Sequence, residues 1–211
     1  MARMISMFAL LIVWASLVVT GSAPSRAEGE GSPGFIEGLP LTGKYLVASP
    51  DLRDPNFVQT VIFMVRHDAE GAMGIVVNRA IGTVPLVEVL SFLGITTESE
   101  LGSVQILYGG PVEPEAAFVL HSTDYLQDGS LHVNEDVALT SKQEIFEAIA
   151  KGEGPEQRLL AFGFSGWGPG QLEKEFGQGS WFIIPGDVDF LFDDDIKSKW
   201  QRAHDQQEIN L

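Results

Sequence analysis

The 211-residue chain carries 29 acidic against 13 basic residues, a formal charge of −16, and has no cysteine. Nucleic-acid binding is disfavoured, because phosphate contacts need clustered lysine or arginine and no basic run occurs; an anionic membrane surface is disfavoured on the same ground. Disulfides, thiol nucleophiles and thiolate metal sites are excluded, so the fold must rest on core packing.

The first residues, MARMISMFALLIVWASLVVTGSAPSRAEGE, place Arg3 before an uncharged run from Met4 to Val19, then small residues Ser25 and Ala27 around Arg26. This is the layout of a signal peptide over residues 1–27. Cleavage after Ala27 would give a periplasmic or secreted domain with no stable membrane insertion, retention a membrane-anchored one, and translation begun nearer the domain a cytoplasmic one. Residues 1–27 hold two arginines and no acid, so the remaining 184 residues carry a formal charge of −18. That length fits one domain. The Gly-, Glu- and Pro-rich stretch 28–39 reads as a flexible linker, with the domain spanning 40–211.

"GKYLVAS" (43–49), "QTVIFMVRH" (59–67) and "GAMGIVVN" (71–78) are strands by their β-branched and aromatic content, the last two forming a hairpin. Pro85 opens a helix over 85–93, with Leu86, Val89, Leu90 and Leu93 at helical spacing and Gly94 as its stop. "VQILYGG" (104–110), "AAFVLHS" (116–122), "SLHVN" and "VALT" follow as strands. A helix capped by Thr140 or Ser141 and ended by Gly152 comes next. Then "RLLAFGFSG" reads as a buried strand, "PGQLEKEFG" as a short helix, "SWFIIP" as a strand and "DDDIKSKWQRAHDQQ" as the final helix. Strands come first and mix with helices later without strict alternation, which specifies an α+β fold.

The stretch "GFSGWGPGQLEKE" (163–175) concentrates the chemical candidates. A nucleophile elbow needs G-x-S-x-G, but Trp167 stands where the second glycine belongs, and His67, His121 and His132 all precede Ser165. A phosphate cradle is suggested by glycines before a helix, yet neither phosphate-binding fingerprint is present and no lysine is suitably placed. The plainest reading is a strand-to-helix turn with Pro169 in the first helical turn. Trp167 must then plug a core or face a partner. Elsewhere, His67-Asp68 and His204-Asp205 are adjacent pairs that cannot ligate a metal alone, and Asp193-Asp194-Asp195 lacks calcium-loop spacing and reads as the capped, charged start of a helix. Glu113 and Glu115 read as a solvated surface.

"LTGKYLVASPDLRDPNFVQTVIFMVRHDAEGAMGIVVNR", "YGGPVEPEAAFVLHS" and "AFGFSGWGPGQLEKEFGQGSWFIIP" together resemble the YqgE/AlgH family of bacterial proteins, from about Leu41 to Pro185. The resemblance implies an α+β domain with strands curled into a barrel-like mixed or antiparallel sheet flanked by helices. It also carries a link to regulation of alginate synthesis, without a defined chemistry. Family members are usually cytosolic, and the signal-like segment is a departure from them.

Three strand ends carry the remaining candidates: Asn78 and Arg79; Gly109 and Gly110; and Ser165, Gly166, Trp167 and Gln171. If those ends converge, they and His121 line one concave ligand site; the competing reading is glycines in turns with polar side chains capping them. The expectation is a non-catalytic module that binds a small ligand or a protein partner, with no cofactor or metal. The alternative is a small hydrolase or transferase using Ser165 or His121 with Glu173 or Glu175. A homo-oligomer anchored by Trp167 and Trp181 is a third option.

Overall fold

The computed structural model describes residues 40–98 and 101–209. The expected signal peptide 1–27 and linker 28–39 lie outside the described residues. The elements run β1 (Tyr45–Ala48), β2 (Val61–Asp68), β3 (Gly71–Val76), β4 (Ala80–Pro85), α1 (Leu86–Phe92), β5 (Ser103–Tyr108), β6 (Val112–Ser122), β7 (Leu131–His132) and β8 (Val137–Thr140). They continue as α2 (Gln143–Lys151), β9 (Arg158–Trp167), α3 (Gln171–Gly177), β10 (Trp181–Ile184), α4 (Val188–Phe192) and α5 (Lys199–Ile209). Among the described residues no helix is long and apolar enough to cross a membrane.

The strands form one ten-stranded sheet in the order β10-β1-β2-β3-β9-β6-β8-β7, with β4 on β5 and β5 on β9. Every pairing is antiparallel except β5 with β9. The sheet is flanked by helices and does not close, ending at β10 and β7 instead of joining into a barrel.

Both faces of the β1–β3 region are covered, which is why these strands read as near-continuous apolar runs and not as alternating ones. Tyr45, Val47, Val61, Phe63 and Ile75 point into a core shared with Phe190, Leu191, Ile196 and Ala203. Their neighbours Leu46, Ile62, Met64 and Val76 point the other way, onto Trp167, Leu172 and Trp181. A third cluster seats Leu90 of α1 and Ile145 and Ile149 of α2 against Ile106, Val119 and Leu160.

β9 joins the two halves. One edge follows β6, while the other pairs with β5 through 160–162 and then with β3 through 165–167. The exchange occurs at Gly163, whose φ of +73° is the left-handed conformation that glycine tolerates best. It also resets which face each side chain takes: Ala161 and Phe164 enter the same core although they are three residues apart. Gly109 completes the junction, donating its N–H to the Phe162 carbonyl at 2.8 Å and accepting from Val76 N–H at 2.9 Å.

Four features depart from the sequence reading. β4 was not expected; its residues alternate between exposed and half-exposed, so they carry little apolar signal. α4 was not expected either, and its cap is Asp187, which accepts from Asp189 N–H at 2.9 Å and Phe190 N–H at 3.2 Å. The last helix begins at Lys199, not Asp193, because the Asp193 carboxylate is held by Arg202 and Lys199. α2 has Lys142 at its N-cap with no side-chain cap bond; the Thr140 hydroxyl, at the end of β8, is instead engaged by Ser130 and by His121 of β6.

Candidate functional site

The glycine-rich stretch is a buried connection. Ser165 is fully buried on β9 and its hydroxyl donates to the Gly109 carbonyl at 3.4 Å. Gly166 pairs with Met73 of β3, and Trp167 is 6 % exposed, so its indole plugs a core. Pro169 stands before the helix cap, Gly170, which adopts φ +71°. The Gly168 N–H that a phosphate cradle would aim at an anion is bound by the Gln171 amide oxygen at 3.2 Å.

Around this connection the side chains satisfy one another. The Glu175 carboxylate accepts the indole N–H of Trp167 at 3.0 Å, that of Trp181 at 2.9 Å and the Gln171 amide at 2.9 Å. Phe57 stacks on Trp167 with ring centres 6.2 Å apart. On the same helix Glu173 meets His67 Nε2 at 2.9 Å; partial burial pushes its carboxyl up, but its own backbone N–H and then His67 outweigh that and hold it below the usual range. Trp181 is 4 % exposed, so neither indole offers surface to a partner.

His121 sits elsewhere. It pairs with Arg158 at the start of β9, about 20 Å along the strand from Ser165. The ring is fully buried, with Nδ1 donating to the Ser122 carbonyl at 2.9 Å and Nε2 2.9 Å from the Thr140 hydroxyl oxygen. Burial pushes its pKa below the ordinary value. Neither Ser165 nor His121 therefore has the other within reach as a nucleophile–base pair.

Asn78 and Arg79 follow β3 at the end opposite Trp167, again about 20 Å away along the strand. Asn78 accepts from Val61 N–H and donates to the Gln59 carbonyl, both at 2.8 Å. Arg79 donates to the carbonyls of Pro55, Asn56 and Val58 at 3.2, 2.7 and 2.7 Å. Together they pin the loop between β1 and β2. Gly109 and Gly110 lie nearby, since Tyr108 N–H bonds the Arg79 carbonyl at 2.8 Å, but both glycines serve close backbone approach. A Cβ on Gly110 would lie 2.2 Å from the Phe164 carbonyl carbon. The structure thus sets Gly109 and Gly110 against Asn78 and Arg79 on one side and the buried Ser165 on the other, and leaves His121, Trp167 and Gln171 apart from Asn78 and Arg79.

Asn78 and Arg79 line an open cleft of about 570 Å³ together with Asn56, Ala80, Tyr108, Ile196 and Lys197. Its walls carry two cations, two amides and a phenol, and no carboxylate, in a chain of charge −16. Burial lowers the Arg79 pKa, opposed more weakly by Tyr108 and then Asp54. Sequence reasoning passed over Tyr108, Asn56 and Lys197. Tyr108 lay inside a strand pattern, and Lys197 in a run that reads as a solvated helix. Among the described residues no group of three or more His, Asp or Glu side chains could hold a metal.

A family model described as AlgH-like matches residues 45–211. The chain belongs to the AlgH-like family. A UPF0301 protein of Xanthomonas campestris pv. campestris is 44 % identical over 173 residues, covering 82 % of this chain and 92 % of that protein. A UPF0301 protein of Rhodospirillum rubrum is 41 % identical over 163 residues, covering 77 % and 85 %. The solution structure of the AlgH protein from Pseudomonas aeruginosa superposes with a TM-score of 0.67 at 34 % identity, over 87 % of this chain and 93 % of that one. A crystal structure of a Corynebacterium diphtheriae protein, 20 % identical with a TM-score of 0.60, covers 81 % and 88 % and shares the fold. The AlgH-like family is one of unknown function, so the chemistry has to be argued from this chain's own surface.

Proposed function

We propose that this AlgH-like protein is a non-catalytic binding module that holds a small organic anion in the cleft between Arg79 and Lys197. The observation that carries this reading is a set of unused donors. The Lys197 ammonium and the Tyr108 hydroxyl have no hydrogen-bond partner among the described residues, and both line the cleft. Arg79 has five N–H groups and gives three of them to carbonyls. Those three bonds fix the guanidinium, so it meets a ligand already ordered. Ile196, Ala80 and the Tyr108 ring supply an apolar wall, as ligand sites of this volume commonly do.

The chain's net negative charge opposes the approach of an anion, but at physiological salt that field decays over about 8 Å, and the cations inside the cleft dominate at contact distance. The hydrolase or transferase reading has less support, since Ser165 and His121 are both buried and distant from each other along β9.

Thermal unfolding of the full chain against phosphorylated sugars, nucleotides and dicarboxylates tests the proposal. A ligand at a hundred times its Kd stabilises by about 2.7 kcal/mol, which raises Tm by roughly 5–10 °C in a domain of this size. The rise is expected to vanish in Lys197→Glu combined with Tyr108→Phe. A panel with no stabilising anion, or a rise that survives both substitutions, would refute the reading.

A further inference from the structure

The Arg79 guanidinium depends on one turn of the loop between β1 and β2. It donates to the carbonyls of Pro55, Asn56 and Val58, the residues on either side of Phe57. The turn closes on the Asp54 carbonyl, which accepts from Phe57 N–H at 2.9 Å and Val58 N–H at 2.7 Å, and on the Asp54 carboxylate, which accepts from Asn56 N–H at 2.8 Å. These bonds give the turn its shape but do not tie it to the domain. From Asp51 to Gln59 every residue is exposed except Leu52 and Phe57, and those two pack on the core cluster that holds Trp167 and Trp181. Phe57 stacks on Trp167 with ring centres 6.2 Å apart and meets Trp181 edge-on at 5.6 Å. Both indoles are fixed by the Glu175 carboxylate. None of Phe57, Trp167 and Trp181 lines the cleft.

We propose that Phe57 is a positioning residue for the anion: its ring, seated on the two indoles, holds the carbonyls that hold the Arg79 guanidinium. This rests on the anion-binding reading above and deepens it, because it makes the tryptophan cluster a determinant of the cleft's affinity. The three carbonyl bonds leave an Nε–H and one Nη2 N–H, on neighbouring nitrogens, and such a pair can grip a carboxylate or phosphate with two bonds. With the turn seated, that pair is presented in one orientation. With the turn loose, the side chain has to be ordered as the anion binds, which weakens binding about two- to tenfold. Asn78 holds the same loop only at the Gln59 carbonyl, outside the turn.

Calorimetric titration of the full chain with adenosine 5′-monophosphate, ribose 5-phosphate and succinate, below the unfolding temperature of every variant, tests this. For an anion that the parent binds and Lys197→Glu does not, Phe57→Ala is expected to bind about two- to tenfold more weakly. Phe57→Tyr, which keeps the ring, is expected to restore affinity to within about twofold. Unchanged affinity in Phe57→Ala, or a Phe57→Tyr chain as weak as Phe57→Ala, overturns the positioning role and leaves the anion reading standing. If no anion of these classes binds, both readings fail. A second measurement needs no ligand. Arg79→Gln should lower Tm by about 3–6 °C in the parent, through the loss of its bonds to the turn, and by less than half as much in Phe57→Ala, where the turn is already free. An equal fall in both chains means that ring and guanidinium do not share the turn, and it refutes the inference.

Discussion

Replacing Glu175 by alanine should be among the more damaging single changes in the molecule, although the residue lies on a short helix near the surface. Its carboxylate accepts two indole N–H groups, at 3.0 and 2.9 Å, from tryptophans 6 % and 4 % exposed. Alanine leaves both donors buried without an acceptor, and each orphaned group costs about 1–3 kcal/mol. The Gln171 amide, which is exposed, turns to water and adds little. Relief of the carboxylate's own partial desolvation subtracts somewhat, so the net loss should be about 3 kcal/mol, or roughly 6–12 °C in Tm. Glu175→Gln keeps one good acceptor oxygen and should lose about half as much. Urea denaturation followed by tryptophan fluorescence reads stability and the indole environment together. If Glu175→Ala unfolds within 0.5 kcal/mol of the parent, roughly the effect of an ordinary surface change, the carboxylate does not hold the two rings and the account of this cluster is wrong.

Stability should fall as pH drops through about 6.5. The folded pKa of His121 is depressed by burial, so the unfolded chain takes up a proton first; the slope, at most about 1.4 kcal/mol per pH unit, should flatten between pH 5 and 7 in His121→Gln. Denaturation curves at pH 5, 6 and 7 measure it, and an unchanged slope in the variant would assign the effect to another group. Gly110→Ala, with φ +150° and a Cβ 2.2 Å from backbone, should cost at least about 3 kcal/mol, whereas Gly102→Ala, which meets nothing within 4 Å, should stay within about 0.5 kcal/mol. Lys199→Met should destabilise by about 3–5 kcal/mol in the same assay. The fully buried ammonium donates to the carbonyls of Phe190, Leu191 and Asp193 and pairs with the Asp193 carboxylate, and methionine fills the volume without any of these bonds.

Most strands were legible because both faces of β1, β2 and β3 are covered, which turns a strand into an unbroken apolar word such as Val61 to Val65. β4 was not, because Gly82, Thr83 and Pro85 sit on an exposed edge where apolar content is not required. The start of α5 was misplaced for a different reason: Asp193 looks like a helix cap, but its partner Arg202 lies in the following helix, a tertiary fact that local spacing does not encode. At the candidate site Asn78 and Arg79 could be singled out as polar residues ending a strand. Tyr108, Asn56 and Lys197 could not, because they come together only when the segment after α4 crosses the end of β5. Trp167 could be narrowed to two roles, and its acceptor Glu175, named only as a partner for catalysis, decides between them.

The arrangement of β9 has a consequence for how the chain is made. Both β3 and β6 find their central neighbour only in a segment synthesised after them, and β1 waits longer still for β10. As the polypeptide grows, the β1–β3 meander is therefore a platform with unsatisfied backbone on both flanks, open to pairing with other nascent chains. Commitment to the native topology comes late and from the C-terminal third, where β9 inserts and the exchange at Gly163 selects its neighbours. A fragment that stops short of Ile184 should therefore aggregate instead of forming part of the domain, and folding should be slow for the chain's length because its decisive pairings are so far apart in sequence.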